Sequence, residues 1–404
     1  MIVQKIKLTT FRNYEDEEID VHPGINVFFG ANAQGKTNIL EAIYLCACAR
    51  SHRTARDGDL IHHGENQYRV DLGFADRQMT EETITIHYLD SIQGDPSRTR
   101  SQRHIFQNGM RLNRIGDLMG LFHAVIFAPE DLMLVKEGPS TRRRFIDLLI
   151  SQLRPSYFLH LQHYSQYLVQ RNQLLKQFRS SLRRQEGKLN DQQMLQLEIW
   201  DQAMSKEAAA IMLQRHHFCR RISEIAEKSQ KEISSGKEEL NVKYKSISGI
   251  SLDNSIETIS TQLFEKLKTN IYEDIERGNT LYGPHRDDLE MSLNGEGLKP
   301  YASQGQQRSA VLALKLAELQ ILSEETGEPP VLLLDDVMSE LDEQRRDRLL
   351  SHINESQVFI TCTDADQIVR MFRHDDNRKE PAISYYHVRQ GKVLKLADTM
   401  PSSS

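Results

Sequence analysis

Long apolar segments and paired cysteines are both missing from this sequence. No apolar run approaches the roughly 18 residues that span a bilayer, and the opening MIVQKIKLTTFRNY has no apolar stretch of signal-peptide length. The four cysteines lack the C-x-x-C spacing of a zinc site; they are Cys46, Cys48, Cys219 and Cys362. We therefore expect a cytoplasmic protein whose cysteines are buried free thiols.

An excess of positive charge is also missing. The 404-residue chain has a formal net charge of -6, with 39% hydrophobic and 27% charged residues. This composition is typical of a globular chain with a buried core, and the length predicts two or three domains or one large domain with an insertion. DNA phosphates interact with local patches of positive charge on a protein surface. The negative net charge of the whole chain therefore does not exclude a DNA-binding surface.

Proline and glycine are scarce in the middle of the chain. All eleven prolines lie outside residues 156–283, and Gly187 is the only glycine between residues 156 and 235. This segment is rich in Gln, Leu, Arg, Lys, Glu and Ala, which favour helices. Because it lacks sustained heptads, we predict a compact lobe of two to four helices instead of a coiled-coil rod.

The flanking segments have an α/β pattern. The alternation in IVQKIKLTTF predicts a strand, and Gln107-Asn108-Gly109 predicts a hairpin turn. After residue 283, PPVLLLDDV predicts a buried strand, SELDEQRRDRLLSHI a helix and QVFITCTD the last buried strand. The tail DTMPSSS is expected to be disordered.

Residues 30–37 match the glycine-rich pattern that binds nucleotide phosphates. The loop follows an apolar strand and opens a helix, which is the context the G-x-x-x-x-G-K-[ST] pattern requires. Its glycines permit the backbone path that offers successive N–H groups to a phosphate. We expect Lys36 to reach the β- and γ-phosphates and the Thr37 hydroxyl to bind Mg²⁺. The full set predicted to contact the nucleotide here is Gly30, Ala31, Asn32, Ala33, Gln34, Gly35, Lys36, Thr37 and Asn38.

Two acids end the predicted strand VLLLDD. The carboxyl ends of parallel strands form the ligand-binding edge of an α/β sheet, so Asp335 is expected to hold Mg²⁺ and Asp336 to orient or deprotonate the attacking water. Solvated acids at a strand end are the alternative, and the phosphate loop favours the metal site.

A second helix start has the chemistry to attract an anion. Ser303-Gln304-Gly305-Gln306 directly precedes an amphipathic helix, whose first turn offers N–H groups and a partial positive charge. The residues alone do not say whose phosphate this would be.

The motifs GANAQGKT, SQGQ and LLLDDVMSELD occur in the order found in ABC-type ATPase heads, including those of SMC and Rad50 proteins. The chain further resembles the RecF family of bacterial recombination mediators in stretches that span nearly its whole length: FRNY (11–14), SHRT (51–54), FAPEDLMLVKEGPSTRRRFID (127–147), GPHRDD (283–288) and SQGQQR (303–308). The resemblance implies an α/β, ABC-type ATPase head of the Rad50/SMC kind with an inserted compact helical second lobe. Its parts would be residues 1–135 with the Walker A motif, 136–280 as the inserted lobe, and 281–404 with the signature helix and Walker B.

The resemblance also implies roles for further residues. Ser303 to Gln306 would contact the γ-phosphate of ATP on a second subunit, so that Ser303 joins Lys36 and Asp336 in catalysis. Arg12 and Asn13 would lie near the nucleotide, and Ser339 and Asp342 would belong to the D-loop at the dimer interface. Pro129-Glu130-Asp131 is the candidate for the glutamine loop.

Two departures from transporter-type ATPases predict slow hydrolysis. Asp336 stands where transporters usually have Glu, and Thr361-Cys362-Thr363-Asp364 replaces their switch histidine. The family implies a weak, DNA-stimulated ATPase that forms an ATP-dependent homodimer on DNA. It also implies RecR, with RecO and RecA, as partners in recombinational repair, replication and the SOS response. The alternatives are a transporter subunit, which the missing histidine disfavours, and a nuclease-coupled head, for which we find neither a rod nor a second acidic metal centre.

Two arginine clusters are the candidates for sequence-independent contacts with DNA phosphates. They are Arg142, Arg143 and Arg144 in one stretch, and Arg98, Arg100 and Arg103 in the other. For Arg142 to Arg144 the alternative is that they pair with nearby acids or fix the interface of the helical lobe, and for both clusters it is a solvated charged face.

Overall fold

The computed structural model describes residues 1–76, 78–91, 100–182, 188–339, 341–351, 356–366, 368 and 382–396. The predicted disordered tail lies outside these residues. The chain divides into two compact units, Met1–Leu132 with Val311–Ser404, and Met133–Ala310. The first is α/β and the second is mainly helical, which confirms the predicted fold class.

The first unit contains an antiparallel six-stranded sheet. Its strand order is β2-β1-β4-β5-β6-β7. Buried and exposed side chains alternate along much of these strands, as expected for a sheet with one face on the core. The predicted hairpin turn is present, with Asn108 and Gly109 at positive φ between the last two strands. The strands are β1 (Ile2–Phe11), β2 (Tyr14–Asp20), β4 (Gln67–Ala75), β5 (Glu81–Leu89), β6 (Gln102–Gln107) and β7 (Met110–Arg111).

A second sheet of the same unit carries the predicted motifs. It has the order β15-β14-β3-β13-β12-β8, and all neighbours are parallel except β14 and β15. Its three central strands, β3, β13 and β12, are mainly apolar and almost entirely buried. Because these strands are parallel, the loops after β3 and β12 lie at one edge. The strands are β3 (Ile25–Phe29), β8 (Ala124–Phe127), β12 (Val331–Asp335), β13 (Val358–Cys362), β14 (Ile383–Arg389) and β15 (Lys392–Lys395).

One expectation for this sheet was wrong. QVFITCTD forms β13, but it is not the last strand, because β14 and β15 follow it. β14 pairs with β3, and the two-residue turn at Gln390 and Gly391 has the positive φ angles of a tight hairpin. The missed hairpin therefore borders the strand that leads into the phosphate loop.

The described helices that lie wholly in the first unit are α1 (Lys36–Cys48) and α10 (Glu343–Ser351), with short 3₁₀ helices at Asp57–Leu60, Ile115–Leu118, Pro129–Leu132 and Val337–Ser339. All four cysteines are buried free thiols, as predicted. None of the helices in the described residues combines the length and the apolar character needed to cross a membrane.

The second unit contains more than helices. A three-stranded antiparallel sheet of order β11-β10-β9 accompanies the helices. Helix α9 (Gln304–Thr326) begins in this unit and continues into the first. The other elements are α2 (Met133–Lys136), α3 (Pro139–Leu153), α4 (Pro155–Leu182), α5 (Asp191–Ile233), β9 (Leu240–Lys245), α6 (Ile256–Thr269), α7 (Ile271–Arg277), β10 (Asp288–Leu293), β11 (Glu296–Gly297) and α8 (Leu298–Tyr301).

Buried ion pairs join the long helices of the second unit. The fully buried Arg171 of α4 donates to Asp201 of α5 and to Asp274 of α7, both at 2.5 Å. Arg215 of α5 forms two hydrogen bonds of 2.8 and 2.9 Å with Asp147 of α3. Removing one partner of such a pair leaves an uncompensated buried charge, which costs about 3–5 kcal/mol. These pairs therefore hold the helices in a compact arrangement.

Candidate functional site

The phosphate loop takes the conformation that its glycines permit. It begins after β3 at Gly30 with φ of 148° and ends at Gly35 with φ of 114°, where α1 starts. Both angles are disfavoured for residues with a Cβ. A Cβ on Gly30 would lie 2.4 Å from the Val388 carbonyl oxygen, and one on Gly35 would lie 2.6 Å from Asn13 Nδ2. Close packing therefore adds to the need for glycine at both positions.

Neighbouring segments brace this loop from two sides. The Asn13 amide donates to the Gln34 carbonyl at 2.8 Å, and the Tyr14 hydroxyl donates to the Gly35 carbonyl at 3.0 Å. From the missed hairpin, the Gln390 N–H donates to Gln34 Oε1 at 2.7 Å. The loop is thus held at its middle and at its end, which limits the reorganisation needed to bind a phosphate.

Lys36 lies inside the loop. Its ammonium donates to the carbonyls of Gly30 at 2.7 Å and Ala31 at 2.9 Å, and the residue is only 8% exposed. Burial lowers the pKa of Lys36, while the negative charges of Asp336 and Asp335 and the Cys362 thiol act in the opposite direction. A flexible ammonium held by two neutral carbonyls is able to exchange them for negatively charged phosphate oxygens, which accept stronger hydrogen bonds.

Thr37 and Asp335 meet directly at the edge of the sheet. The Thr37 hydroxyl donates to Asp335 Oδ1 at 2.8 Å, and the Thr361 hydroxyl donates to the same oxygen at 2.7 Å. Burial raises the pKa of Asp335, and the hydrogen bonds from Thr361 and Thr37 counteract that rise. A hydroxyl and a carboxylate are hard oxygen donors of the kind that bind Mg²⁺, so the pair fits the predicted cation.

No group of three or more His, Cys, Asp or Glu suited to a metal ion occurs in the described part of the chain. A cation at Thr37 and Asp335 would therefore take its remaining ligands from water and from phosphate oxygens. This is the usual arrangement for Mg²⁺, which retains several water molecules and binds one or two protein groups.

Asp336 occupies a strained backbone position next to the pair. Its φ is 55°, in the left-handed region, and its N–H donates to the Thr361 hydroxyl at 2.9 Å. Its side chain is exposed, in contrast with the buried Asp335. Residues held in such backbone conformations cluster at active sites and switch regions. The Asp336 side chain is also accessible to solvent.

Arg12 is engaged in an ion pair near the loop. Its guanidinium donates to both oxygens of the fully buried Glu41 at 2.8 and 2.9 Å, and to the Asp59 carbonyl at 2.7 Å. Arg53, which sequence reasoning did not single out, lies 3.8 Å from the same carboxylate and donates to Asn38 Oδ1 at 3.1 Å. Two guanidinium groups thus share one buried carboxylate at the side of α1.

The SQGQ segment caps α9. The Ser303 hydroxyl accepts from the Gln306 N–H at 3.3 Å, and Gln306 Oε1 accepts from the Ser303 N–H at 2.8 Å, which is a reciprocal capping box. Ser303 and Gln304 are exposed and Gly305 is half-buried. The segment lies in the second unit, whereas the phosphate loop and the two acids lie in the first.

The remaining predicted motifs occupy short turns. The Ser339 hydroxyl donates to the Asp336 carbonyl at 2.8 Å, and Asp342 Oδ1 accepts the Arg345 N–H at 3.0 Å at the start of α10. Pro129 to Asp131 form a 3₁₀ helix whose Asp131 accepts the Ala128 N–H at 2.8 Å. Ser339 is therefore tied by one hydrogen bond to the backbone of the predicted catalytic acid.

The arginines of α3 have partners within their own unit. Arg142 forms a bidentate pair with Asp288 at 2.7 and 2.8 Å, and Arg143 donates to the Asp287 carbonyl at 2.6 Å. Arg144, on the same helix, is half-buried. For Arg142 and Arg143 these contacts support the alternative in which the arginines stabilise the protein, and their contact with DNA stays a prediction.

The other arginine cluster is divided. Arg103 donates to the Ala49 carbonyl at 2.5 Å and pairs with Asp57, whereas Arg100 is exposed. Arg98 lies outside the residues that the structure describes. Burial lowers the pKa of Arg103 to about 10, so its charge is retained at neutral pH. Arg103 is held by these two contacts, and any role for this cluster on DNA stays a prediction.

Sequence reasoning missed the direct role of Thr361. The sequence marks Thr361 only as part of the segment that replaces a switch histidine, yet its hydroxyl connects Asp335 to the backbone of Asp336. The signal for this contact is the register of β12 and β13, in which Asp335 and Thr361 are paired. A single sequence does not contain that register.

Comparison with known proteins shows similarity along nearly the whole chain. The family described as the RecF/RecN/SMC N terminal domain matches residues 2–380. The DNA replication and repair protein RecF of Acetivibrio thermocellus is 44% identical over 369 residues, which cover 91% of this chain and 94% of that protein. The RecF of Symbiobacterium thermophilum is 40% identical over 397 residues and 98% of each chain.

Solved structures give the same picture for the fold. The recombination mediator protein RecF-ATP of the RecFOR pathway superposes with a TM-score of 0.84 at 34% identity, covering 98% of each chain. An Smc head domain from Pyrococcus furiosus with an extended coiled coil has a TM-score of 0.52 at 17% identity, and it covers 98% of this chain and 96% of that one. The second similarity concerns the fold alone.

Proposed function

This chain belongs to the RecF family, and on that basis we propose that it is an ATP-switched DNA clamp of recombinational repair. As a RecF protein it is a DNA-repair ATPase that binds ATP. In the proposed cycle, ATP closes a homodimer on DNA, and slow hydrolysis opens it. The observation that carries the proposal is the direct hydrogen bond from Thr37 of the phosphate loop to the strand-end acid Asp335.

The proposed nucleotide site is formed by the loop Gly30 to Asn38, with Asn13 bracing it. Lys36 exchanges its two carbonyl partners for phosphate oxygens, and the loop N–H groups bind the same oxygens. Thr37 and Asp335 would hold Mg²⁺, which neutralises charge on the phosphates when bound. Arg12 acts by fixing the side chain of Glu41, which belongs to α1.

Asp336 is the proposed residue that positions the attacking water and accepts its proton. Its carboxylate is exposed while its backbone is fixed by Thr361. The Asp336 side chain is one methylene shorter than the Glu of other members of the superfamily, so its carboxylate holds the attacking water less favourably. Slow hydrolysis follows, and this suits a timing switch.

Dimer closure is proposed to depend on Ser303 to Gln306. The capped, exposed start of α9 presents backbone N–H groups toward an anion, and the γ-phosphate of ATP on a second subunit is the proposed anion. Ser339 and Asp342 would lie at the same interface as the D-loop. The closed dimer is the form proposed to bind DNA without sequence preference, to recruit RecR with RecO, and to support RecA loading, replication and the SOS response.

Binding of labelled duplex DNA tests this function. We expect the Asp336→Asn variant, in which hydrolysis is strongly slowed, to bind duplex at least about tenfold more tightly with ATP and Mg²⁺ than with ADP. Two unrelated sequences should bind equally, and the affinity should fall steeply with salt because phosphates supply the contacts. Fluorescence anisotropy at a stated salt concentration provides the measurement. Equal affinity with ATP and ADP would refute the clamp.

Replacing Thr361 by valine is expected to slow hydrolysis about tenfold. Valine has nearly the same shape but lacks the hydroxyl that donates to Asp335 and accepts the Asp336 N–H. Losing a hydrogen bond to the charged form raises the pKa of Asp335 further, so half-maximal activity shifts to higher pH. Steady-state hydrolysis against pH and Mg²⁺ concentration measures both effects. Thr361→Ser keeps the hydroxyl and serves as the control, and a valine variant with unchanged rate and Mg²⁺ dependence would contradict the assignment.

A further inference from the structure

The Gln306 side chain holds the SQGQ segment from two directions. Its Oε1 accepts the Ser303 N–H at 2.8 Å, and its Nε2 donates to Glu238 Oε1 at 3.0 Å. An amide that is fixed at both ends cannot rotate freely, so the position of its oxygen depends on the partner of its nitrogen. Glu238 thereby influences the backbone at Ser303 from 65 residues upstream in the chain.

Glu238 is itself fixed by the end of the longest helix. Its second carboxylate oxygen, Oε2, accepts the Gln230 Nε2 at 2.6 Å, and its N–H donates to the Ser234 hydroxyl at 3.0 Å. Gln230 belongs to the last turn of α5 and is fully buried. A continuous chain of hydrogen bonds therefore runs from α5 through Gln230, Glu238 and Gln306 to Ser303.

The connector that carries Glu238 has a defined shape. α5 ends at Ile233, after which Ser235 and Gly236 have positive φ and the Gly236 N–H returns to the Lys231 carbonyl at 2.7 Å. This is the hydrogen bond of a Schellman helix end. Glu239 then pairs through its backbone with Asn294. The carboxylate of Glu238 is thus placed by folded structure on both sides.

From this geometry we infer that Glu238 is a positioning residue for the SQGQ segment, acting through Gln306 and held by Gln230. This inference rests on the proposed role of the segment in binding the partner subunit's ATP. It makes the end of α5 part of the ATPase mechanism, because displacing that end would release the Gln306 amide. Glu238 touches neither nucleotide nor water in this scheme and is not a catalytic residue.

Three substitutions separate positioning from charge. Glu238→Ala removes the acceptor of Gln306. Glu238→Gln keeps an acceptor, and the unpartnered Oε1 of Gln230 is able to accept the new amide once the Gln230 side chain flips. Glu239→Ala removes an equal charge from the next residue, whose described contacts with Asn294 use only its backbone.

The experiment measures ATP binding to the monomer, ATP-dependent dimerisation and hydrolysis for these variants, Ser303→Arg and the wild type. We expect Glu238→Ala to bind ATP normally but to weaken dimerisation and lower kcat about tenfold, the effect of a lost hydrogen bond to a charged group. Glu238→Gln should recover most of the loss, and Glu239→Ala should match the wild type. Adding Glu238→Ala to Gln306→Ala should cause no further loss, because both act on one interaction.

The outcomes separate this inference from the proposed function. If Ser303→Arg blocks dimerisation while Glu238→Ala dimerises like the wild type, the positioning role is wrong and the function stands. If Glu239→Ala is as defective as Glu238→Ala, charge rather than geometry is responsible, and the inference also fails. If Ser303→Arg dimerises normally, the proposed function is overturned and this inference with it. Equal melting temperatures across the set exclude a folding defect as the cause.

Discussion

Lys36→Met lowers the affinity for ATP by about a hundredfold or more and abolishes ATP-dependent dimerisation. The ammonium lies inside the phosphate loop, 2.7 and 2.9 Å from two carbonyl oxygens that phosphate oxygens would replace. Hydrogen bonds to charged groups contribute about 1.5–3 kcal/mol each, and about 1.4 kcal/mol corresponds to a factor of ten in affinity. Losing two of them gives the stated effect. Isothermal titration calorimetry with ATP measures it.

Methionine suits this test because it has nearly the length of lysine without the charge. Lys243→Met, at an exposed position of β9, removes the same charge far from the phosphate loop in sequence and serves as the matched control. ATP affinity in the Lys36→Met variant equal to that of the control would remove Lys36 from the nucleotide site.

Asp336→Asn leaves ATP binding intact and lowers hydrolysis by about a hundredfold or more. General-base catalysis contributes roughly 10²–10⁴-fold to a reaction rate, and asparagine cannot accept the proton. The substitution removes the proton acceptor and keeps the backbone conformation, because asparagine tolerates the left-handed φ of 55° found here better than alanine does. Since ATP then persists, the DNA-bound dimer should dissociate more slowly.

Single-turnover hydrolysis and the dissociation rate from labelled DNA measure these two effects. Asp253→Asn is the control, since Asp253 is an exposed acid of the second unit that the proposed site does not use. Turnover at the wild-type rate in the Asp336→Asn variant would exclude Asp336 from the reaction. Fast dissociation from DNA despite slowed hydrolysis would show that ATP hydrolysis does not control the release of DNA.

The phosphate loop and the acid-ended strand were predictable because their chemistry depends on local spacing. Gly30, Gly35 and Lys36 are close in the chain, and the apolar run before Asp335 indicates where that strand ends. Contacts between distant segments were not predictable in the same way. Thr361 reaches Asp335 only through the pairing of two strands, which one sequence does not specify.

The arginines of α3 are a second example of contacts between distant segments that one sequence does not specify. Composition reveals a basic run, but not that Arg142 pairs with an acid 146 residues later in the chain. The hairpin β14–β15 is different, because its signals were present. The β-branched and aromatic residues of ISYYHVR and the Gln390-Gly391 turn are typical of a hairpin.

The central claim is that ATP closes a dimer through the SQGQ segment, and the mass in solution tests it most directly. Light scattering is applied to Asp336→Asn with and without ATP and Mg²⁺, and to the same variant carrying Ser303→Arg. Ser255→Ala, which removes the equivalent cap of α6, controls for the loss of a helix cap. The account predicts that ATP doubles the mass of Asp336→Asn and of the cap control, and that Ser303→Arg remains a monomer. A mass unaffected by ATP, or a dimer that persists in Ser303→Arg, would contradict it.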